Sequence, residues 1–492
     1  MKDLKERALR GGVAKLCAQG ANYVVRIASL VVMARLLSPK DFGLVGMVTA
    51  FTGVLSLFRD FGLSAASVQR VDVTEDQVST LFWINVFVGG FLALVTTAMA
   101  PVAVSFYREP HLFWVTIAMS TGFLFNAAGV QHSAFLQREM RITALAIIDV
   151  ISWVVSTLIG IVVALAGLGY WALVVSTVSL PLIATIGMWL TTGWIPGRPR
   201  SGVGLRSMMR FGGGLTLTGL IVYVAYNFEK VLLGRFWGAD AVGLYGRAYQ
   251  LSNIPTSTLN TAVGEVAFPA LSRVRNDPPR FKNYFLKGYS LVLAMTIPMT
   301  IAVAIFAPEL ISVLLGPKWQ EAAPIFRLLA PTILVFAVIN PIGWLIFSLG
   351  MIGRSLKVAM VLAPLVICGY VIGLPYGPKG VAFAYSTVMV LWIVPHIAWG
   401  VHGTVVSVRD IAVAASGPLV SGIVAGAVTF GAQFAWGQSL HALPRLVLGL
   451  AILLSAYLGM LFYAMGQKSL YLRLFRDMLR RLPVEEENLV PA

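Results

Sequence analysis

The stretch ARLLSPKDFGLVG, residues 34–46, decides the fold because the chain repeats it. The segment GRFWGADAVGLYG follows 200 positions later, at residues 234–246, and aligns with the first copy without a gap. The residues that recur across this interval, in the two segments and just upstream of them, are Arg10, Gly12, Tyr23, Val24, Val31, Arg35, Gly43, Leu44 and Gly46. The repeat predicts a chain that is built from two similar halves.

The composition is that of a membrane protein. Hydrophobic residues fill 58% of the 492 positions and charged residues only 12%, whereas soluble domains contain about 25% charged residues. The apolar residues fall in runs of about 20, the length of a helix that crosses a bilayer. Because a helix satisfies its own backbone hydrogen bonds in hydrocarbon, we predict an all-α polytopic membrane protein.

Fourteen transmembrane spans are predicted, with both chain termini in the cytoplasm. In this topology the cytoplasmic segments hold 25 of the 37 Lys and Arg residues and the outer loops hold seven, as the positive-inside rule requires. The net charge of +16 is therefore assigned to basic loops and not to nucleic-acid binding. The spans are 14–36, 43–62, 81–104, 112–135, 145–166, 169–192, 211–236, 243–268, 284–307, 323–349, 355–373, 380–402, 412–436 and 444–465.

Six spans separate the two copies of the repeat, so both copies have the same orientation in the membrane. A second pair of segments, GLGYWALVVSTV at 167–178 and GPKGVAFAYSTV at 377–388, matches at an interval of 210 residues. We predict two parallel six-helix lobes, as in one class of transporters. The predicted regions are an N-lobe at 1–192, a cytoplasmic linker at 193–210, a C-lobe at 211–402, two additional spans within 403–465 and a basic amphipathic tail at 466–492. This tail is expected to lie on the inner leaflet; the alternative is a solvated helix.

Four segments, at the expected spans and in order, resemble a known family. They are ARLLSPKDFGLVGM at 34–47, FRDFGLSAASVQR at 58–70, FLQREMR at 135–141 and VAFPALSRVRND at 266–277. They are similar to bacterial polysaccharide transporters of the O-antigen and colanic-acid exporter type, within the multidrug/oligosaccharidyl-lipid/polysaccharide exporter superfamily.

The resemblance implies a flippase and not an enzyme. Its substrate would be an oligosaccharide repeat unit on undecaprenyl pyrophosphate, moved from the inner to the outer leaflet of the bacterial cytoplasmic membrane for surface polysaccharide synthesis. Expected partners are this lipid-linked oligosaccharide, membrane lipids, and a polysaccharide polymerase with its co-polymerase. Two rival functions remain open: a multidrug exporter of the same superfamily, and a membrane polysaccharide polymerase or ligase.

Basic residues inside the spans are the candidate substrate ligands, because a charge at the bilayer centre costs about 2.5–3.5 kcal/mol and normally faces a cavity or a partner. Arginine binds phosphate oxygens in pairs and stays charged. We expect a cationic cavity that binds the pyrophosphate; internal neutralisation is the alternative. The candidates are Arg26, Arg59, Lys230 and Arg247.

Two acidic residues, Glu229 and Asp149, are candidate proton or coupling-ion sites, and a salt bridge to Arg26 or Lys230 is the alternative for them. The sequence does not distinguish H⁺ coupling from Na⁺ coupling or from neither. The two cysteines lie in apolar runs and predict no disulfide or metal site. No catalytic residues and no cofactor are predicted.

Overall fold

The computed structural model describes residues 20–59, 74–199, 206–436, 440–468 and 471. Helices make up 88% of this part of the chain, and none of its residues forms a strand, which confirms the predicted all-α class. The helices are α1 (20–36), α2 (Pro39–Ser56), α3 (Glu75–Ala98), α4 (Ala100–Tyr107), α5 (Leu112–Arg138), α6 (Ile142–Leu165), α7 (Trp171–Thr192), α8 (Arg206–Arg273), α9 (Pro278–Leu314), α10 (Ala322–Ser348), α11 (Ile352–Gly373), α12 (Gly377–Val401), α13 (Val408–Trp436) and α14 (Ala442–Gly459).

The chain is a multi-pass membrane protein. Within the described ranges, nine helical stretches are long and apolar enough to cross a membrane, and one of them, Gly353–Val401, includes both α11 and α12. Helix α8 is not among the nine; it carries Glu229, Lys230 and Arg247, three of the predicted intramembrane charges. The total of fourteen spans stays a prediction. Most of the predicted basic tail, 466–492, lies outside the described residues.

The sequence of the first repeat explains where α2 begins. Ser38 caps the helix by accepting a hydrogen bond from the Asp41 N–H, and the Asp41 carboxylate accepts one from the Ser38 N–H at 2.9 Å. Pro39 occupies the first turn, where a missing N–H costs nothing. The sequence SPKD at 38–41 therefore marks the start of α2.

Helix α8 joins two predicted spans with a shorter connection than the sequence suggested. The spans were expected at 211–236 and 243–268, but only Gly238 departs from helical geometry, with φ 82° and ψ −176°. Glycine tolerates this positive φ without a steric penalty. The helix begins at Arg206, inside the predicted linker.

The chain divides into two compact units. The first contains the described residues up to Arg247 together with Leu314–Ala322 and Ala359–Tyr385, and the second contains Ala248–Val313, Ala323–Val358 and the described residues from Ser386 onward. The lobe boundaries predicted from the sequence stay a prediction. In the second repeat pair, Gly167 and Gly377 both have positive φ, 77° and 70°.

Within the first unit, the two copies of the first repeat contact each other backbone to backbone. A Cβ on Gly43 would lie 1.7 Å from the carbonyl oxygen of Ala239, and a Cβ on Gly243 would lie 1.9 Å from that of Pro39. The two contacts are equivalent under the repeat, because adding 200 to 43 gives 243 and subtracting 200 from 239 gives 39. This glycine crossing is thus symmetric between the copies.

Buried aromatic residues hold the same region of the first unit. The Trp319 side chain is fully buried, and its Nε1 donates a hydrogen bond to the Ala34 carbonyl oxygen at 2.8 Å. Its ring meets the Phe42 ring edge to face, with centroids 5.3 Å apart. The Arg247 guanidinium lies 4.0 Å from the Phe42 centroid, which is the distance of a cation–π contact.

A charged cluster also belongs to the first unit, between α4 and α5. The Glu109 carboxylate lies 2.5 Å from Nδ1 of His111 and 3.8 Å from Nζ of Lys40. Partial burial of Glu109 favours the neutral acid, but the hydrogen bond with His111 and the charge of Lys40 outweigh it and lower the carboxyl pKa below its ordinary value. Glu109 therefore stays ionised to a lower pH than a solvated glutamate.

Two ion pairs stabilise the second unit. Arg445 Nη1 lies 3.0 Å from Oε1 of Glu309, whose side chain is only 7% exposed. Lys282 Nζ lies 2.7 Å from Oδ2 of Asp410, near the start of α13.

Candidate functional site

The first unit contains a cavity of about 590 Å³ among α2, α5, α6, α7 and α8. This volume is within the range of about 300–1,000 Å³ that ligand pockets occupy. Two charged residues, Arg59 and Asp149, line the cavity with three aromatic residues, Phe123, Trp153 and Tyr223. A cavity of mixed polarity within a membrane protein is a candidate binding site, because buried polar groups in a bilayer need partners.

Arg59 gives the cavity wall its positive charge. It follows the last turn of α2, where its N–H donates a hydrogen bond to the Ser56 carbonyl oxygen at 3.2 Å. Its Nε is buried and has no hydrogen-bond partner among the described residues. An unsatisfied guanidinium N–H beside a cavity can bind an anionic oxygen. The structure thus places one of the four predicted ligands on the wall.

Arg26 lies beside the cavity and not on its described wall. Its guanidinium carbon is 4.3 Å from the centroid of the Trp153 ring, and Trp153 itself lines the cavity. The charge of Arg26 also acts electrostatically on Asp149, one helical turn before Trp153. Arg26, Arg59 and Asp149 therefore belong to one neighbourhood, although they come from α1, the end of α2 and α6.

The remaining candidates lie elsewhere in the first unit. Lys230 donates a hydrogen bond from Nζ to Oδ1 of Asn227 at 2.6 Å. Glu229 is only 1% exposed, and its Oε2 has no hydrogen-bond partner in the described part of the chain. Neither residue belongs to the described cavity lining, and Arg247 packs on Phe42. The structure therefore does not bring these three residues to the cavity.

Tyr223, the counterpart of Tyr23 in the repeat, lines the cavity but is not among the ligands that the sequence predicts. Its hydroxyl donates a hydrogen bond to the Thr49 carbonyl oxygen at 2.9 Å. The side chain occupies the space that Gly53 leaves open, since a Cβ there would lie 1.6 Å from the Tyr223 oxygen. Glycine at position 53 thus lets a tyrosine from α8 reach the wall formed by α2.

The neutral polar side chains of the wall were also missed. They are Thr49, Thr52, Ser56, Asn126, Ser152 and Thr177. Serine and threonine are common in membrane helices, where they bond to the backbone of the preceding turn. Only the assembled helices show that these six side chains line one cavity.

The FLQREMR segment lies at a second cavity of the first unit, of about 330 Å³. Its Phe135, Arg138 and Glu139 line this cavity with Glu75 and Trp194. Its charges of both signs favour no single class of ligand. For metals, no group of three or more His, Cys, Asp or Glu residues that could bind an ion occurs in the described ranges.

Comparisons with known proteins identify relatives of this chain. The teichuronic acid biosynthesis protein TuaB of Bacillus subtilis is 27% identical to this chain over 332 residues, which are 66% of this chain and 68% of TuaB. The lipopolysaccharide biosynthesis protein WzxC of Escherichia coli is 24% identical over 395 residues, covering 79% of this chain and 80% of WzxC.

Among solved structures, the lipid II flippase MurJ in its inward closed conformation superposes with a TM-score of 0.74 at 13% identity, covering 95% of this chain and all of MurJ. This likeness concerns the fold. Residues 32–324 match the family described as polysaccharide biosynthesis protein, and this segment is more than half of the chain. The chain therefore belongs to the polysaccharide biosynthesis protein family.

Proposed function

We propose that this protein is a flippase that moves oligosaccharide repeat units, linked to undecaprenyl pyrophosphate, from the inner to the outer leaflet of the bacterial cytoplasmic membrane. The observation that carries the proposal is the cavity of the first unit, which has Arg59 on its wall and Arg26 packed on the ring of the wall residue Trp153. Membership of the polysaccharide biosynthesis family supports a glycan-related substrate, and relatives bear names of lipopolysaccharide and teichuronic acid synthesis.

In this mechanism the arginines bind the pyrophosphate and the cavity wall contacts the sugars. A pyrophosphate brings negative charge into a region of low dielectric constant, where an arginine lowers its free energy more than water at the surface would. Two six-helix lobes would alternate in opening the cavity to either leaflet, with both termini in the cytoplasm. An inside-negative potential assists outward movement of an anion by about 2.3 kcal/mol per charge per 100 mV.

Deletion of the gene tests the proposal directly. Cells without this protein should lose a surface polysaccharide while its lipid-linked repeat unit accumulates on the inner leaflet, as measured by lipid extraction and mass spectrometry. Persistence of the full polymer with a change only in drug tolerance would favour a multidrug exporter. Accumulation of single repeat units on the outer leaflet would favour a polymerase.

A further inference from the structure

The hydroxyl groups of the cavity wall donate their hydrogen atoms to backbone carbonyl groups. Each donates a hydrogen bond to a backbone carbonyl oxygen three or four residues earlier, at 2.7–3.0 Å: Thr49, Thr52, Ser56, Ser152 and Thr177. A hydroxyl has one donor and two acceptor positions, so what remains for a ligand is acceptor capacity. The Tyr223 hydroxyl is used in the same way.

Two further wall residues add acceptors. Asn126 donates one Nδ2 hydrogen to the Gly122 carbonyl oxygen at 3.0 Å, which leaves its amide oxygen as an acceptor and its second amide hydrogen as a donor. Asp149 contributes a carboxylate, which accepts hydrogen bonds and donates none when ionised. Apart from Arg59 and one Asn126 amide hydrogen, the polar groups of this wall are acceptors, which is complementary to a ligand that is rich in hydrogen-bond donors.

A sugar fits this wall better than other ligand classes do. Its hydroxyl groups supply many donors without a net charge, and the Trp153 and Phe123 rings offer apolar surface to its C–H groups. A phosphate would place its own oxygens against these acceptors and against Asp149, which is unfavourable. An organic cation would be attracted by Asp149 but repelled by both Arg59 and Arg26.

We infer that the acceptor wall is a carbohydrate subsite, distinct from the arginines that bind the pyrophosphate. This wall consists of Thr49, Thr52, Ser56, Asn126, Asp149, Ser152 and Thr177. This inference rests on the proposed function. In it, Asp149 and Thr177 distinguish a lipid that carries its sugars from one that does not. Asp149 acts as a hydrogen-bond acceptor for sugar hydroxyls.

Binding to the full-length protein in nanodiscs, measured by calorimetry, tests the inference with two probes. One probe is undecaprenyl pyrophosphate, and the other is the sugar-bearing lipid extracted from cells that lack this protein. Asp149→Leu should weaken binding of the sugar-bearing lipid about 10- to 100-fold, and Thr177→Val about 3- to 10-fold, from the usual strengths of charged and neutral hydrogen bonds. Thr177→Val should bind undecaprenyl pyrophosphate within twofold of wild type, and Asp149→Leu should not weaken that binding, because it removes a negative charge beside Arg26.

Three controls sharpen the result. Thr191→Val removes a hydroxyl that makes the same bond on the same helix, to Gly187 at 2.6 Å, away from the described cavity lining; it should bind both lipids as wild type does. Arg59→Gln should weaken both lipids equally. Asp149→Asn keeps an acceptor and should therefore bind the sugar-bearing lipid more tightly than Asp149→Leu does.

The inference is overturned if Asp149→Leu weakens the binding of both lipids equally. It is also overturned if Asp149→Asn binds the sugar-bearing lipid as weakly as Asp149→Leu does, or if Thr177→Val and Thr191→Val bind it with the same affinity. It is also overturned if the wild-type protein binds the two lipids with equal affinity. Failure of the wild-type protein to bind either lipid would contradict the proposed function itself.

Discussion

The glycine crossing between the two repeat copies predicts a large effect for one added methyl group. A Cβ on Gly43 would lie 1.7 Å from the Ala239 carbonyl oxygen, whereas ordinary carbon–oxygen contacts begin at about 3.3 Å. The opposing atom belongs to the backbone and cannot rotate away as a side chain could. Gly43→Ala must therefore displace one helix end by about 1.6 Å, which is the difference between these two distances.

This displacement should lower the free energy of unfolding. Overpacking in a well-packed core costs about 1–3 kcal/mol, and a clash between two backbones belongs at the upper end, about 3 kcal/mol. Alanine stabilises a helix interior by about 1 kcal/mol relative to glycine, so the net destabilisation should be about 2 kcal/mol. Gly243→Ala should have the same effect, because its Cβ would lie 1.9 Å from the Pro39 carbonyl oxygen.

Thermal denaturation of the purified protein, followed by tryptophan fluorescence, measures these effects. Gly43→Ala and Gly243→Ala should lower the midpoint by similar amounts. The double variant should be destabilised by less than the sum, because one separation of the helix ends relieves both clashes. Gly246→Ala is the matched control. Gly246 lies on α8, as Gly243 does, and no atom lies within 4 Å of its added Cβ, so the midpoint of this variant should not fall. If Gly43→Ala behaved like Gly246→Ala, the two copies could not be in the contact described.

Three further variants probe charged groups. Arg26→Ala should abolish glycan export while immunoblots show normal protein levels, because its guanidinium packs on the cavity residue Trp153; loss of the protein would instead indicate a structural role. Glu109→Gln should lower the free energy of unfolding at neutral pH by about 1 kcal/mol or less, which lowers the thermal midpoint slightly. Since the folded-state pKa of Glu109 is lowered, the stability it contributes is present above its unfolded pKa and is lost as the pH falls through the folded value. The difference from wild type should vanish in acid, and a difference that persisted there would contradict the assignment. Arg445→Met should cost about 3–5 kcal/mol, because it leaves the buried Glu309 carboxylate unpaired, and adding Glu309→Leu should restore the midpoint; failure of this rescue would exclude charge burial as the cause.

The helices were largely predictable from the sequence, because apolar length and cap residues act locally. The predicted span 112–135 corresponds to α5 at Leu112–Arg138, and 169–192 corresponds to α7 at Trp171–Thr192. The connection within α8 was the exception. A single glycine at position 238 suffices to interrupt the helix, so a six-residue loop was not needed.

The cavity was predictable only in part. Two of the residues selected for their intramembrane charge, Arg59 and Asp149, line the cavity, and their roles there stay predictions. The same criterion selected Lys230, which lies outside the described cavity lining and donates a hydrogen bond to Asn227. Which side of a helix faces a cavity depends on its rotation in the assembled bundle, and a single residue step turns the direction by about 100°. The hydroxyl acceptors could not be recognised before the helices were placed together.

The two copies of the repeat share the glycine crossing but not the four candidate basic ligands. The glycine crossing uses Gly43 and Gly243 in equivalent positions. The residues 200 positions away from Arg26, Arg59, Lys230 and Arg247 are Tyr226, Leu259, Leu30 and Met47, none of them charged. A duplicated helical hairpin needs close backbone contact in both copies, and glycine at both positions supplies it. A ligand with a phosphate at one end and sugars at the other has no such symmetry, so a site that binds it requires different side chains on its two sides.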